Sequence, residues 1–428
     1  MKQILFILFF ISLLNLQRID NTFIIQYLLT TVQIGVFLFY LSQDKLIFFK
    51  KINAKKKYLV LLFYLVFLIC ILRANEFSIL ILINFLGFNL FFLAYVSELI
   101  FIYENEKLSF KDIFENYIIT PFVFYISLNF VCWVFNIKSD LSVDSEINIG
   151  QSMILANYGI NVERVNFLFS NGINSYAVVL GAIFTYTLSN LFLTLKFSLK
   201  NIVFNLIIFV CLLLTDSRSG VFYPIFISIF CFVLLKIKKY KIIKFTPYLL
   251  FLAPFALLGI LPLLSELEFV AQFSRNDSDL FTLNGRLFIW YFALDEFIQF
   301  KLIHLFGYGY YGHVTSGASS SWAFLFGAYL NPDTVHPHNS IFSLLFDIGY
   351  LGILVIISIF FTITKILVKH WKNDKIFTLN LYSYILFTIF ISITESFIGL
   401  YYLNTMTLFV SFFVFLFAMD SLKSKDND

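Results

Sequence analysis

Residues 77–103 read FSILILINFLGFNLFFLAYVSELIFIY, and Glu98 is the one charged residue among them. A helix of about 20 apolar residues crosses the hydrocarbon core of a bilayer. Lipid offers a backbone N–H or C=O no partner, so a spanning segment must bond within its own helix or close into a barrel. This stretch therefore reads as a membrane-crossing helix, and the rest of the chain repeats the pattern. Apolar runs lie near 4–16, 22–42, 58–73, 77–103, 117–136, 174–195, 201–215, 220–235, 245–265, 340–364, 376–394 and 398–419. They predict an all-α polytopic membrane protein with about twelve transmembrane helices. Composition agrees. Hydrophobic types are 60% and charged types 13% of 428 residues, against roughly 45–50% and about 25% in soluble domains. That excludes an ordinary soluble enzyme and a disordered chain. A β-barrel would alternate polar and apolar residues. The 59 phenylalanines read as lipid-facing bulk.

The run at 4–16 lacks a small-residue cleavage site and reads as a short first membrane helix rather than a signal peptide. Cys70, Cys132, Cys211 and Cys231 lie inside apolar runs without metal-ligand spacing, so they read as small hydrophobes. The chain reads as one integral membrane domain over 1–428. It has a first external loop at 137–173 and a large external loop at 266–339, between the ninth and tenth helices. Residues 285–303 place Leu287, Trp290, Leu294, Phe297 and Ile298 at helical spacing, which suits an amphipathic helix in the outer interface.

Charge sets the orientation. The loops 43–57, 236–244 and 365–375 are rich in lysine, and twelve helices put all three on the side of both termini. The positive-inside rule makes that side the cytoplasm. On this topology Lys138 and Lys301 are the outward lysines. All six arginines (Arg18, Arg73, Arg164, Arg218, Arg275 and Arg286) face outward, with four of the five histidines. Guanidinium is the better group for bidentate contact with phosphate, and it stays charged. The outward arginines therefore point to an anionic ligand. Net charge, +4, gives no reason to expect nucleic acid.

Candidate site residues follow from these charges. Arg218 sits in the short turn Asp216-Ser217-Arg218-Ser219, where its plain alternative is an interfacial anchor. Arg164 precedes Asn171 and Asn174, either of which could cap the next helix. Arg286 and Trp290 are four residues apart and share a helix face; their plain alternative is a cation–π anchor. Gly307, Gly309 and Gly312 form a glycine-rich turn without the Lys-Ser/Thr of a nucleotide loop. His336-Pro337-His338-Asn339-Ser340 opens the tenth apolar run. Asn339 or Ser340 can cap that helix, and a neutral imidazole there can serve as general base. His-x-His without an acidic or Cys neighbour is a weak zinc signal, and no metal or cofactor is expected. Asp347, just inside the run, would orient an Arg or the His.

Taken in order, Arg164 with Asn174, Ser217-Arg218, Arg286 with Trp290, the Gly307–Gly309 turn, and His338-Asn339 with Asp347 and Gly349 resemble the O-antigen polymerase and ligase superfamily. The likeness covers about 150–352. It implies a fold like the GT-C membrane glycosyltransferases and a catalytic His338. It also implies that Arg218, Arg286 and, more weakly, Arg164 grip a donor pyrophosphate. Ser217, Trp290, His336, Asn339 and Asp347 would support them. The implied donor is an undecaprenyl-pyrophosphate-linked glycan at the outer face of the inner membrane. The implied acceptor is another glycan, for a polymerase, or lipid A-core, for a ligase. A chain-length regulator is an implied partner beside the lipid bilayer. The polymerase is the preferred reading and the ligase the alternative. A lipid-linked oligosaccharide flippase would need charges deep within helices. Glu98, Asp347 and Glu395 lie near run ends instead. A purely structural subunit would not need the arginine and histidine grouping. Which of His336 and His338 is the base stays open.

Overall fold

A computed structural model describes residues 1–16, 23–75, 77–137, 152–156, 159–264, 286–326, 335–401 and 403–425. Arg18, Lys138, Arg275 and Gly285 lie outside them. Among the described residues every regular element is helical. The longer helices are α1 (Lys2–Ser12), α2 (Ile24–Ser42), α3 (Ala54–Leu72), α4 (Ile79–Glu106), α5 (Phe110–Val134), α6 (Ile173–Thr194), α7 (Leu199–Leu214), α8 (Arg218–Ile237), α9 (Thr246–Leu264), α10 (Arg286–Ile298), α11 (Ser340–His370), α12 (Lys375–Thr394) and α13 (Leu403–Lys425). Each of the twelve apolar runs carries one of these helices. Among the described residues eight are long and apolar enough to cross a membrane, so the protein is a polytopic membrane protein. The helix at the first run, α1, has 11 residues, short of a full span.

Short polar residues start the helices. Asn53, Ser78, Ser109, Ser198, Ser217, Asn339 and Asp374 each accept a bond from an amide of the first turn. Such caps satisfy donors that have no partner within the helix. One expectation fails here. Neither Asn171 nor Asn174 caps α6; Gly172 holds the cap position, without a side-chain bond. Inside α5, a π-helical segment at Phe114–Ile119 precedes Pro121. Proline has no N–H to give the carbonyl four residues back, and the Tyr95 hydroxyl serves the Tyr117 carbonyl instead, at 2.7 Å. The Thr120 hydroxyl serves that of Glu115. The Glu115 carbonyl also accepts from the Thr120 amide, so the one acceptor that Pro121 frees, on Tyr117, is paired, as lipid requires.

Helices α6, α8 and α12 pack closely together, and α13 is buried along 405–422. The bundle has two chemically distinct ends. At one, lysines pair with acids: Lys2 with Glu106, Lys51 with Glu104, and Lys56 and Lys369 with Asp420. At the other lie Arg73, Arg164, Arg218 and Arg286. Lys301 is at this arginine end too, paired with Glu296 at 2.6 Å.

Helix α11 is broken at Gly349, whose φ of 65° and ψ of −170° leave the helical region. The break frees the carbonyls of Phe346 and Asp347. The amides of Tyr308 and Gly309 take them, at 2.6 and 3.1 Å. A Cβ at Gly349 would stand 2.3 Å from the Gly307 nitrogen, and one at Gly307 would stand 2.5 Å from the Asp347 carbonyl carbon. The glycine-rich turn is therefore a backbone-to-backbone dock against the broken helix.

Candidate functional site

The segment 335–339 enters α11 at the arginine end and is pinned residue by residue. The Trp290 indole N–H donates to the Pro337 carbonyl at 3.0 Å. The His338 amide donates to His336 Nδ1 at 3.1 Å. Asn339 Oδ1 accepts from the amides of Ile341 and Phe342, and its Nδ2 donates to the Ile393 carbonyl at 2.8 Å. Asn339 is thus both cap and clamp. Under these restraints His338 takes a left-handed backbone with φ of 49°. Such a conformation costs a non-glycine residue about 1–3 kcal/mol and persists where its surroundings over-determine it.

The antiparallel pairing of α11 with α12 brings a carboxylate to this segment. Glu395, just past α12, sits with Oε2 3.5 Å from His338 Nδ1. Its Oε1 accepts from Arg286 at 2.8 Å, while a second Arg286 nitrogen donates to the Thr394 carbonyl at 2.6 Å. The Glu395 backbone carbonyl accepts from the Ser340 hydroxyl. Arg286, Glu395 and His338 therefore form one connected row. Burial raises the Glu395 carboxyl, but Arg286 and His338 together outweigh it and hold the group below its ordinary value. Burial lowers His338 below 6.5; Glu395 works against that shift and Arg286 with it. Burial, with neighbouring His338, His313 and Arg286, lowers His336 further. Both imidazoles are therefore neutral near pH 7.

Glu395 has no part in the sequence-based site; there it is only a charge near a run end. Two further residues join only in three dimensions. The Tyr401 hydroxyl donates to Asp347 Oδ1 at 3.0 Å and lies 3.2 Å from His313 Nδ1. The Tyr401 ring centroid is 5.3 Å from that of His336, and His336 and His338 are 4.2 Å apart. Asp347 also accepts from the Gly312 amide. It therefore anchors the glycine turn and Tyr401; among the described residues it bonds these two rather than the arginine or His338 expected of it. The remaining outward histidine, His304, is buried against Glu296 and Tyr308 and ties that turn to α10.

The arginines divide into two groups. Arg286 is at the His338 row. Arg164 donates through Nε and a terminal nitrogen to the Thr215 carbonyl, both at 3.3 Å, beside the turn that carries Arg218. Asp216 has φ of 55° in that turn and accepts from the Ile154 amide. Ser217 caps α8 through the Gly220 amide, at 3.1 Å. Helix α8 then packs on α12. Tyr223 stacks near Phe390 and lies within electrostatic range of Arg286 and Glu395. The two groups thus share one end of the bundle, across α8 and α12. The plain alternative for Arg286 and Trp290, a cation–π pair, gives way to other partners: the guanidinium turns to Glu395 and the indole to Pro337. On α10 the buried face is Ile289, Trp290, Ala293 and Phe297, whereas Ile298 is exposed. The apolar stripe read from sequence is rotated by about one residue.

Residues 203–357 match the family model described as O-antigen ligase. The match includes Arg218, Arg286, Trp290, His336, His338, Asn339 and Asp347; Arg164, Glu395 and Tyr401 lie outside it. No curated protein and no solved structure matches the chain. Residues 203–357 are thus similar to the O-antigen ligase family, within a multi-pass membrane protein, and this similarity supports a ligase- or polymerase-type function.

Proposed function

We propose that the protein joins glycans at the outer face of a bacterial inner membrane, as a polymerase of repeat units carried on undecaprenyl pyrophosphate. The observation that carries this reading is His338 Nδ1 facing the Glu395 carboxylate. A neutral imidazole with its Nδ1–H on a carboxylate keeps the Nε2 lone pair for a substrate proton. In this mechanism Nε2 takes the proton of the acceptor hydroxyl as that oxygen attacks C1 of the donor sugar. The new C1–O glycosidic bond forms while the C1–O bond to pyrophosphate breaks, and the pyrophosphate leaves with the electron pair. Glu395 stabilises the imidazolium so formed. The 3.5 Å separation is loose for the resting protein, and such contacts tighten when substrate arrives. His336 is the poorer base, because its Nδ1 already accepts from the His338 amide.

Arg286, Arg218 and Arg164 neutralise the leaving pyrophosphate. Arg286 gives two of its five N–H groups to Glu395 and Thr394, so its role is shared between anchoring the carboxylate and facing the donor. The arginine end faces outward because the lysine-rich loops lie at the other end.

A second reading, transfer of the finished glycan to lipid A-core, is favoured by the description of the matching family, O-antigen ligase. Deleting the protein and running the surface glycolipid on a gel separates the two. Loss of a polymerase leaves single repeats on the glycolipid. Loss of a ligase leaves full-length chains on the carrier lipid. An unchanged ladder overturns both.

A further inference from the structure

At the arginine end a cavity of 330 Å³ opens between α1, α2, α4 and the turn after α12. It falls at the lower end of the roughly 300–1,000 Å³ of small-molecule pockets. Its polar walls are Ser12, Asn15, Gln26, Asn84, Asn171 and Tyr401, with Tyr310 as a second aromatic face. Among the described residues that line it, none is charged. A smaller cavity of 40 Å³ shares Ser12, Gln26 and Asn84 and continues towards Gln33 and Asn89. Asn89 is 3% exposed, and its Oδ1 has no hydrogen-bond partner among the described residues. A buried amide oxygen left without a donor is costly and calls for an explanation.

These walls suit one chemistry. Carboxamide and hydroxyl groups both donate and accept, as sugar hydroxyls do, and a tyrosine ring offers a face for the C–H side of a pyranose. An uncharged lining gives a pyrophosphate no counter-charge, and the four amides set among Leu13, Leu14, Leu80, Ile81 and Leu400 would be left without partners by a lipid tail. The cavity's walls do not include the turn that carries Arg218, and the segment that carries Arg164 contributes Asn171 to them. The cavity touches the His-Glu row from the histidine side, because Tyr401 both lines it and bonds Asp347 beside His313 and His336.

We propose that this cavity holds a neutral sugar ring of the acceptor glycan and so positions its hydroxyl for His338. The proposal rests on the glycosyl-transfer reading above. Tyr401 is a positioning residue, since it reaches the reacting atoms only through its neighbours.

The test uses the full-length protein in detergent and, as probe, oligosaccharides released by mild acid from the surface glycan of the cell that makes it. Saturation-transfer NMR reads contact with the free saccharide. Wild type and His338→Ala are both expected to give a signal. Asn84→Leu and Gln26→Met, which remove amides, should cut it about fivefold or more, the loss of one or two hydrogen bonds. Ile81→Trp fills the space from the neighbouring helix face with every amide kept, and should remove the signal with an unchanged unfolding transition. In turnover assays Ile81→Trp should raise the acceptor KM and leave the donor KM as it was. No signal from wild type, or equal signals from Ile81→Trp and wild type, overturns the proposal. Saccharide binding together with wild-type glycan from His338→Ala cells overturns the glycosyl-transfer reading while leaving the cavity's ligand in place.

Discussion

Asp420 and Glu395 each meet a histidine and a cation, at opposite ends of the bundle. Asp420, on α13, accepts from Lys56 at 2.5 Å, Lys369 at 2.8 Å and His370 at 3.0 Å. All three contacts are short, and they join α3, α11 and α13. Glu395 accepts from Arg286 at 2.8 Å but stands 3.5 Å from His338. Its histidine is partly exposed and carries a left-handed backbone. The Asp420 group satisfies its charge and ties three helices, which is what a structural ion-pair network does. The Glu395 group leaves its imidazole loosely held, next to solvent, in a strained conformation. That is where function tends to be found.

Breaking the loose group should abolish turnover without unfolding the protein. His338→Ala is expected to lower kcat about 10²–10⁴-fold, the usual worth of a general base, with the unfolding transition unchanged. Arg286→Lys keeps the charge but loses the planar fork. It should lower kcat/KM about 10–100-fold, as for a charge-assisted hydrogen bond of roughly 1.5–3 kcal/mol. Breaking the tight group should do the reverse. Asp420→Asn leaves two lysines without their carboxylate and should cost about 3 kcal/mol of stability, read as an earlier unfolding transition with kcat preserved. If Asp420→Asn abolished turnover and kept stability, the contrast between the two ends would be lost.

The pH profile sharpens the same contrast. A base must be unprotonated, so kcat should rise as pH passes upward through the His338 pKa and stay flat above it. Burial puts that pKa below 6.5, so the acid limb should lie below that pH. The Glu395 carboxylate favours the imidazolium, so Glu395→Gln should move the limb to still lower pH as well as reduce kcat. A limb that stays in place would separate Glu395 from the base. The smallest expected effect is Trp290→Phe. It removes one hydrogen bond to Pro337, worth about 1 kcal/mol, and should slow turnover about fivefold through a less restrained His338.

Much of this was legible in sequence, for definite reasons. Twelve apolar runs each carry a helix, because lipid permits few alternatives to a hydrogen-bonded helix. The Asn339 cap follows from local spacing, and the placement of Arg286, Trp290 and His338 at one end of the bundle follows from the order of the apolar runs. Glu395 was out of reach, because it is 57 residues from His338 and meets it only through the antiparallel pairing of α11 and α12. The available signal was an acidic residue at the end of an apolar run, which membranes rarely tolerate without a partner. Asp347 is expected from sequence to orient an Arg or the His; its partners are instead Gly312 and Tyr401, and only the break at Gly349 explains that docking. Asn174 failed as a cap because the chain turns into α6 at Gly172, whose φ of 125° favours glycine.

The central claim is that His338 acts as the base of glycosyl transfer. The most direct measurement is the surface-glycan ladder of cells that express His338→Ala, at normal protein level, beside Asp420→Asn. The expected result is loss of the polymerised ladder in the first and its retention in the second. A wild-type ladder from His338→Ala would contradict the account.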